Sequence, residues 1–135
     1  MTNLSLTYLP IAVDDVAAAT AFYRDTLGFD VLNEVANEGF HWVTLGVAAQ
    51  PGLSIVLSEP GAGRSPDDAE ALHRLLAKGS LGPYVFTSQD LDATFERVQA
   101  SGTDVLQEPM DQPWGPRDIA FRDPAGNLIR VNQAG

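Results

Sequence analysis

The sequence predicts an α+β fold made of two tandem copies of a βαβββ unit. Three observations lead to this prediction: an internal repeat, alternating helical and strand periodicity, and turn-forming residues between the segments. The repeat is clearest where Asp-Val-Leu-Asn-Glu at positions 30–34 matches Asp-Val-Leu-Gln-Glu at positions 104–108. The offset is 75 residues where the repeat starts, at Asp15 and Asp90, and 74 residues where it ends, so one residue is lost between the copies.

Each copy contains one predicted helix with the same start and stop signals. In the first copy Asp14 or Asp15 can cap the helix N-terminus, and Gly28 can adopt the left-handed conformation that ends it. Its apolar face is formed by Val16, Ala19, Phe22, Tyr23 and Leu27. The corresponding signals in the second copy are Asp90, Leu91, Thr94, Phe95, Val98 and Gly102.

Extended segments flank both helices in the order β-α-β-β-β. The predicted strands are Leu4–Val13, Phe29–Val35, Phe40–Val47, Leu53–Ser58, Leu81–Thr87, Val105–Glu108, Asp118–Arg122 and Leu128–Asn132. We expect a single domain over residues 1–135, with a first module at about 1–58, a connector at about 59–79 and a second module at about 80–135. The connector carries a predicted short helix at about 67–77, and it is either a lid or a simple link between the modules.

The composition narrows the classes of partner. The chain has 135 residues, a net charge of −10 and no cysteine, which excludes disulfides and thiolate sites and disfavours nucleic acid and anionic membranes. No apolar run is long enough to span a bilayer, and no signal-peptide pattern is present, so we expect a cytoplasmic protein.

Two motifs resemble signatures of the vicinal-oxygen-chelate superfamily, which includes glyoxalase, bleomycin-resistance and dioxygenase-like proteins. One is Val13-Asp14-Asp15 followed by residues 21–29, Ala-Phe-Tyr-Arg-Asp-Thr-Leu-Gly-Phe, which is similar to the first-module signature. The other is residues 121–129, Phe-Arg-Asp-Pro-Ala-Gly-Asn-Leu-Ile, which is similar to the last hairpin. The resemblance implies that the two βαβββ modules form a curled mixed sheet around a cleft. It also implies a homodimer, but it selects no activity.

Members of this superfamily often hold a divalent metal through the first and last strands of each module. The matching positions here are Tyr8, Val56, Pro83 and Arg130. Shifts of one residue give Leu57, Gly82 or Tyr84, which supply no better ligand. Valine and proline cannot bind a metal, an arginine repels it, and a tyrosine must first ionise. We therefore expect no metal at the family position and no cofactor.

Strand alternation, the matched family positions and the loop at residues 113–117 together point a set of side chains toward the expected cleft. The predicted ligand-binding residues are Tyr8, Trp42, Thr44, Val56, Trp114, Arg117 and Arg130. Arg130 either binds an anionic oxygen or pairs with an acidic neighbour such as Glu34 or Asp118. Tyr8 either lines the cleft or is a core residue, and Trp42 either lines the cleft or fills a subunit interface. Residues 113–117 either close over the cleft or form a rigid hairpin.

The remaining polar candidates favour structural roles. His41 lies on the strand face opposite Trp42 and has no evident carboxylate partner, so it is not expected to act as a general base. His73 lies in the connector and is expected to be solvated. Glu34 and Glu108 are equivalent in the two copies and are expected to be solvated strand ends rather than an acid–base pair.

The function predicted from these residues is binding of a hydrophobic or anionic small molecule without a metal. One alternative is a metal-dependent lyase, isomerase or dioxygenase with displaced ligands, which would require Glu34, His41, Glu59 and Asp118 to converge. The other is a metal-free enzyme that uses Arg130 as an electrostatic catalyst, with Tyr8 or His41 as acid or base. The residues do not decide whether the protein is an enzyme.

Overall fold

A computed structural model describes residues 2–135, and it divides into a first unit that ends at His73 and a second unit that begins at Arg74. The first unit contains β1 (Tyr8–Ala12), α1 (Val16–Ala21), a π-helical turn (Phe22–Thr26), β2 (Asp30–Asn37), β3 (Phe40–Gly46) and β4 (Ser54–Ser58). Helix α2 (Pro66–Ala77) carries the boundary between the units. The second unit contains β5 (Tyr84–Ser88), α3 (Leu91–Ala100), β6 (Val105–Asp111), β7 (Arg117–Arg122) and β8 (Leu128–Gln133).

Each unit forms its own four-stranded mixed sheet. The strand orders are β1-β4-β3-β2 and β5-β8-β7-β6, and the sheets are not closed. In each sheet the first and last strands of the module pair in parallel, while the other neighbours pair antiparallel. The predicted α+β fold with two repeated βαβββ modules is confirmed, with one sheet for each module.

The repeat extends to the register of single residues. Both second strands carry an irregularity at the same point, between Val31 and Asn33 in β2 and between Val105 and Gln107 in β6. Val56 pairs with Pro10 in the first sheet, as Arg130 pairs with Val85 in the second. Val56 of the first sheet therefore corresponds to Arg130 of the second, and Pro10 corresponds to Val85. Two residues earlier on the same strands, Tyr8 corresponds to Pro83.

The helix boundaries follow the predicted capping chemistry. The Asp15 side chain accepts a hydrogen bond from the Ala18 N–H at 3.0 Å, and Asp90 accepts one from the Ala93 N–H at 3.1 Å. Gly28 and Gly102 follow the helices with φ of 80° and 78°, which a residue with a Cβ rarely adopts. The start and stop signals of both helices are thus confirmed, with Asp15 rather than Asp14 as the cap.

The first helix differs from the prediction in its last turns. Leu27 N–H donates to the Phe22 carbonyl, five residues earlier, so the helix widens to a π-helical turn. The wider turn allows the adjacent residues Phe22 and Tyr23 both to be buried. Their rings meet edge to face, and the Tyr23 ring stacks on Phe29.

The core of each unit lies between its helix and one face of its sheet. In the first unit α1 covers alternate strand residues, of which Ile11, Val13, Val43, Leu45, Ile55 and Leu57 are buried. In the second unit α3 covers Ile119, Phe121, Ile129 and Val131. In both sheets this arrangement leaves the face opposite the helix for other roles.

The first strand is shorter than predicted. It begins at Tyr8 instead of Leu4, and Leu4 is 85% exposed. The physical reason is the length of β4, which has five residues. Its first residue, Ser54, pairs with Tyr8, so the ladder between β1 and β4 begins at that pair. Helix α2 occupies the predicted position. Within residues 2–135, no helix is long and apolar enough to cross a membrane.

Candidate functional site

Four of the predicted ligand-binding residues lie on the sheet face opposite α1 in the first unit. We call this surface the Trp42 face and define it by Tyr8, Trp42, Thr44 and Val56. Thr44 and Val56 are direct cross-strand partners, and Trp42 is two residues from Thr44 on the same strand. Trp42, Thr44 and Val56 are half-buried and Tyr8 is 58% exposed, so an aromatic and apolar surface with two hydroxyl groups is accessible here.

Arg130 lies on the corresponding face of the second sheet, and an acidic neighbour neutralises its charge. Its Nη1 donates to Asp118 Oδ2 at 2.8 Å and to Gln107 Oε1 at 3.3 Å. The Arg130 side chain is 30% exposed, whereas that of Asp118 is 2% exposed. Of the two roles that the sequence left open for Arg130, pairing with Asp118 is the one that the structure contains.

Two glutamine side chains complete the coordination of Asp118. Gln107 Nε2 donates to Asp118 Oδ1 at 2.9 Å, and Gln112 Nε2 donates to the same oxygen at 2.8 Å. Although burial opposes ionisation, these hydrogen bonds and Arg130 hold the pKa of Asp118 below its usual range. Neither glutamine stands out as a candidate in the sequence alone. The repeat offered a signal for Gln107, because it aligns with Asn33 at the irregularity of the equivalent strand.

The other two predicted residues of the second unit lie apart from Arg130. Trp114 is 69% exposed in the turn between β6 and β7. Arg117 shares strand parity with Ile119 and Phe121, on the helix side of the sheet, and its guanidinium lies 3.6 Å from the Asp92 carboxylate. The structure therefore brings together Tyr8, Trp42, Thr44 and Val56 in one unit, but it does not place Arg117 on the face that carries Arg130.

His41 has a carboxylate partner, contrary to the expectation from the sequence. Its ring Nδ1 lies 2.7 Å from Glu59 Oε2, and its backbone N–H donates to Glu59 Oε1 at 2.8 Å. Burial opposes ionisation of Glu59, but the two hydrogen bonds from His41 hold its pKa below the usual range. The pair could have been found from the β3–β4 hairpin, because Trp42 pairs with Ser58 and the next positions outward are His41 and Glu59.

The His41–Glu59 pair lies in a cleft of about 750 Å³ on the helix side of the first sheet. Residues of α1 form one wall, and residues of β2 and β3, including Glu34 and Val43, form the other. We call this space the His41 cleft. It lies on the sheet face opposite the Trp42 face, because His41 and Val43 alternate with Trp42 and Thr44 along β3.

Comparison with known proteins places this geometry in a family. The sequence pattern of the Glyoxalase/Bleomycin resistance protein/Dioxygenase superfamily matches residues 5–131. The chain belongs to this superfamily. The uncharacterized protein YurT of Bacillus subtilis (strain 168) is 30% identical over 124 residues, which cover 91% of this chain and 94% of YurT.

Two solved structures of similar proteins cover almost the whole chain. UcmS2 is 31% identical with a TM-score of 0.85, and the match covers 97% of this chain and 98% of UcmS2. TnmS3, an antibiotic binding protein from Streptomyces sp. CB03234, is 28% identical with a TM-score of 0.76, and the match covers 100% of this chain and 99% of TnmS3. The superfamily fold is thus shared from end to end with both proteins.

The four positions that the family resemblance matches to metal ligands carry side chains that do not suit a metal, namely Tyr8, Val56, Pro83 and Arg130. Strand pairing shows that Val56 and Arg130 occupy equivalent positions in the two modules, and so do Tyr8 and Pro83. Arg130 is positively charged and engaged by Asp118, and valine and proline have no donor atom. Within residues 2–135, no group of three or more histidine, aspartate or glutamate residues is arranged to hold a metal ion.

Proposed function

We propose that this protein binds a hydrophobic, aromatic small molecule on the Trp42 face without using a metal. The observation that carries the proposal is the clustering of Tyr8, Trp42, Thr44 and Val56 on one accessible sheet face of the first unit. Binding sites for small molecules are typically apolar and aromatic with a few polar groups that orient the ligand. Here the indole and phenol rings supply the contact area, and the hydroxyl groups of Thr44 and Tyr8 supply hydrogen bonds.

The similarity to TnmS3 supports a ligand of this kind, because TnmS3 is an antibiotic binding protein and matches the chain over its whole length. A binding role also agrees with the chemistry at the metal positions of the superfamily. Tyr8, Val56, Pro83 and Arg130 together provide no set of ligands for a first-row divalent metal.

The structure favours a neutral ligand over an anionic one. The sequence alone allows both, because an unpaired Arg130 would bind a carboxylate or phosphate oxygen. In the structure Asp118 already supplies Arg130 with a charged acceptor at 2.8 Å. A ligand anion would have to compete with this buried carboxylate, so hydrophobic contact with Trp42 is the stronger source of affinity.

The alternative enzyme functions have less support. A displaced metal site would require Asp118 as a ligand, but this carboxylate is engaged by Gln107, Gln112 and Arg130. An electrostatic role for Arg130 in catalysis would require its charge to be available to a substrate, and the same ion pair opposes that.

Fluorescence titration tests the binding proposal with two probes that share one ring system. N-phenyl-1-naphthylamine is neutral, and 8-anilinonaphthalene-1-sulfonate carries a negative charge on the same aromatic frame. We expect saturable 1:1 binding of the neutral probe and weaker binding of the sulfonate. Trp42→Ala should weaken binding of the neutral probe about tenfold or more, because it removes the largest contact surface. Leu75→Ala, at an exposed position on α2, is the matched control.

Equal loss of affinity in the Trp42→Ala and Leu75→Ala variants would contradict the proposed site. The metal requirement is tested by repeating the titration on protein dialysed against EDTA and then supplied with Zn²⁺, Mn²⁺, Ni²⁺ or Fe²⁺. Unchanged affinity is expected throughout. A metal that restores or creates binding would favour the metal-dependent alternative.

The homodimer and the cytoplasmic location are proposals as well, and sedimentation equilibrium of the purified protein tests the first of them. The same measurement separates two roles of Trp42. If Trp42→Ala converts a dimer to a monomer and leaves the affinity for N-phenyl-1-naphthylamine unchanged, Trp42 belongs to a subunit interface instead of a ligand site.

A further inference from the structure

We propose that the His41 cleft is a second binding site, and that it takes an aliphatic ammonium compound. This site lies on the helix side of the first sheet, opposite the Trp42 face, and does not depend on the function proposed for that face. Its volume of about 750 Å³ lies within the range of about 300–1,000 Å³ typical of small-molecule sites.

The polar groups of the cleft offer more hydrogen-bond acceptors than donors. Four carboxylates line it, namely Asp14, Asp15, Glu34 and Glu59. An ionised carboxylate only accepts hydrogen bonds. The lowered pKa of Glu59 agrees with its ionised state. A ligand that matches this surface must therefore bring several donors of its own.

Neighbouring acceptors take up part of the donor capacity of the cleft. The Arg24 guanidinium donates through Nε and Nη2 to Asp25, at 2.8 and 3.0 Å. The Thr20 hydroxyl donates to the Val16 carbonyl at 2.7 Å. His41 Nδ1 is held by Glu59 Oε2 at 2.7 Å. An ammonium group has three donors and no acceptor, and it satisfies this arrangement best.

Apolar side chains line the same cleft, and they favour a ligand whose uncharged part is apolar. Val16 and Ala17 of α1 line this space from one wall, and Ala36 and Val43 line it from the other. A hydrated metal ion would gain nothing from such walls, and no metal cluster of three or more acidic or histidine side chains is found within residues 2–135. An alkyl chain would bury apolar area there while its charged end remains near the carboxylates.

The second unit provides an internal comparison for the His41–Glu59 pair. The register aligns His41 with Arg117 and Glu59 with Gln133. Arg117 pairs with Asp92, while Gln133 accepts a hydrogen bond from the Leu91 N–H at the start of α3. The same fold is thus built without a histidine–carboxylate pair, so the fold does not require one in the first unit.

The test uses three probes that share a six-carbon chain, namely hexylammonium, 1-hexanol and hexanoate, titrated into the whole protein by calorimetry at neutral pH. We expect 1:1 binding of hexylammonium, about tenfold tighter than that of hexanol, and no binding of hexanoate. Glu34→Gln and Glu59→Gln should each weaken hexylammonium binding about tenfold. Glu108→Gln is the matched control, because Glu108 is the counterpart of Glu34 in the second unit and does not line the cleft.

Equal affinity for hexanol and hexylammonium would overturn the proposal, and so would equal weakening by Glu34→Gln and Glu108→Gln, which would indicate diffuse attraction to an acidic surface. Glu34 is exposed on an edge strand, so its variant keeps the test valid even if Glu59→Gln fails to fold. A lysine with both termini blocked serves as a further probe. If it binds more tightly than hexylammonium, a protein side chain is the natural ligand, and the reverse order identifies a free amine.

Discussion

At the scale of single residues, the neighbours of a charged group decide what it can do. Arg130 and His41 were each open to a functional and a structural interpretation from the sequence. The partner of Arg130 is Asp118, which lies on β7 two residues from Ala120, the cross-strand neighbour of Arg130. The partner of His41 is Glu59, one position past the end of the β3–β4 ladder. Both partners come from neighbouring strands, where strand register alone determines proximity.

Removal of the Asp118 carboxylate is predicted to destabilise the protein strongly. Asp118→Ala leaves Arg130 without its counter-ion and both Gln107 and Gln112 without their shared acceptor. We expect a loss of about 2–3 kcal/mol in the free energy of unfolding. The figure is below that for a fully buried pair because the Arg130 side chain is 30% exposed and can regain water. Urea unfolding measures the loss, with Asp104→Ala as the control, because the Asp104 carboxylate is 68% exposed and lies 3.9 Å from Arg122.

The same carboxylate should make stability depend on pH in the acid range. The pKa of Asp118 is lower in the folded protein than its ordinary value, so the folded state binds fewer protons. Its contribution is complete above the unfolded value of about 3.9 and is lost as the pH falls through the lower folded value. Asp118→Asn should therefore be less stable than the parent at pH 7, and the difference should shrink below about pH 4. A constant difference from pH 7 to pH 3 would contradict this assignment.

At the scale of elements, local signals determined where helices and strands occur. All eight strands and the three helices lie where hydrophobic periodicity, capping aspartates and glycines predict them. The π-helical turn at residues 22–26 and the late start of β1 were not predicted. Both depend on tertiary contacts: the first on burial of adjacent aromatic rings and the second on the length of the neighbouring strand.

The two capping aspartates provide a matched pair of predictions. Asp15→Ala and Asp90→Ala each remove an acceptor from a helix N–H, so each should lower the free energy of unfolding by about 1 kcal/mol. Asp15→Ser and Asp90→Ser keep an acceptor and should restore most of the loss. Glu96→Ala, on the exposed surface of α3, is the control and should change stability by less than about 0.5 kcal/mol. Thermal or urea unfolding gives the comparison, and equal effects of Glu96→Ala and the cap variants would argue against the caps.

At the scale of the whole molecule, the net charge of −10 is the dominant electrostatic property. Like charges that are spread over a small folded chain repel one another and favour expansion. Salt screens this repulsion, since the Debye length falls to about 10 Å at 0.1 M.

We therefore predict that added salt stabilises the protein. The Tm should rise by a few degrees when NaCl increases from about 20 to about 200 mM, because repulsion is screened over the distances between surface charges. Tetramethylammonium chloride should have a similar effect, which separates screening from specific binding of Na⁺. A Tm that falls with both salts would mean that attractive ion pairs outweigh the repulsion.

The sequence by itself determined the repeated fold and the residue types at the positions that correspond between the two modules. It predicted which side of its own strand each of Tyr8, Trp42, Thr44 and Val56 occupies, because alternation along a strand is a local property. It also identified the unsuitable side chains at the metal positions of the superfamily, because residue type alone excludes them as ligands.

Only the tertiary structure decided which polar groups meet. The glutamines that hold Asp118, the Glu59 that holds His41, and the His41 cleft all depend on pairing between strands and packing of α1 on the first sheet. A hydrogen bond requires two groups within about 3 Å, and residues 18 positions apart, such as His41 and Glu59, reach that distance only when register and twist are set. Those quantities emerge from the packed chain as a whole, and no single segment of the sequence contains them.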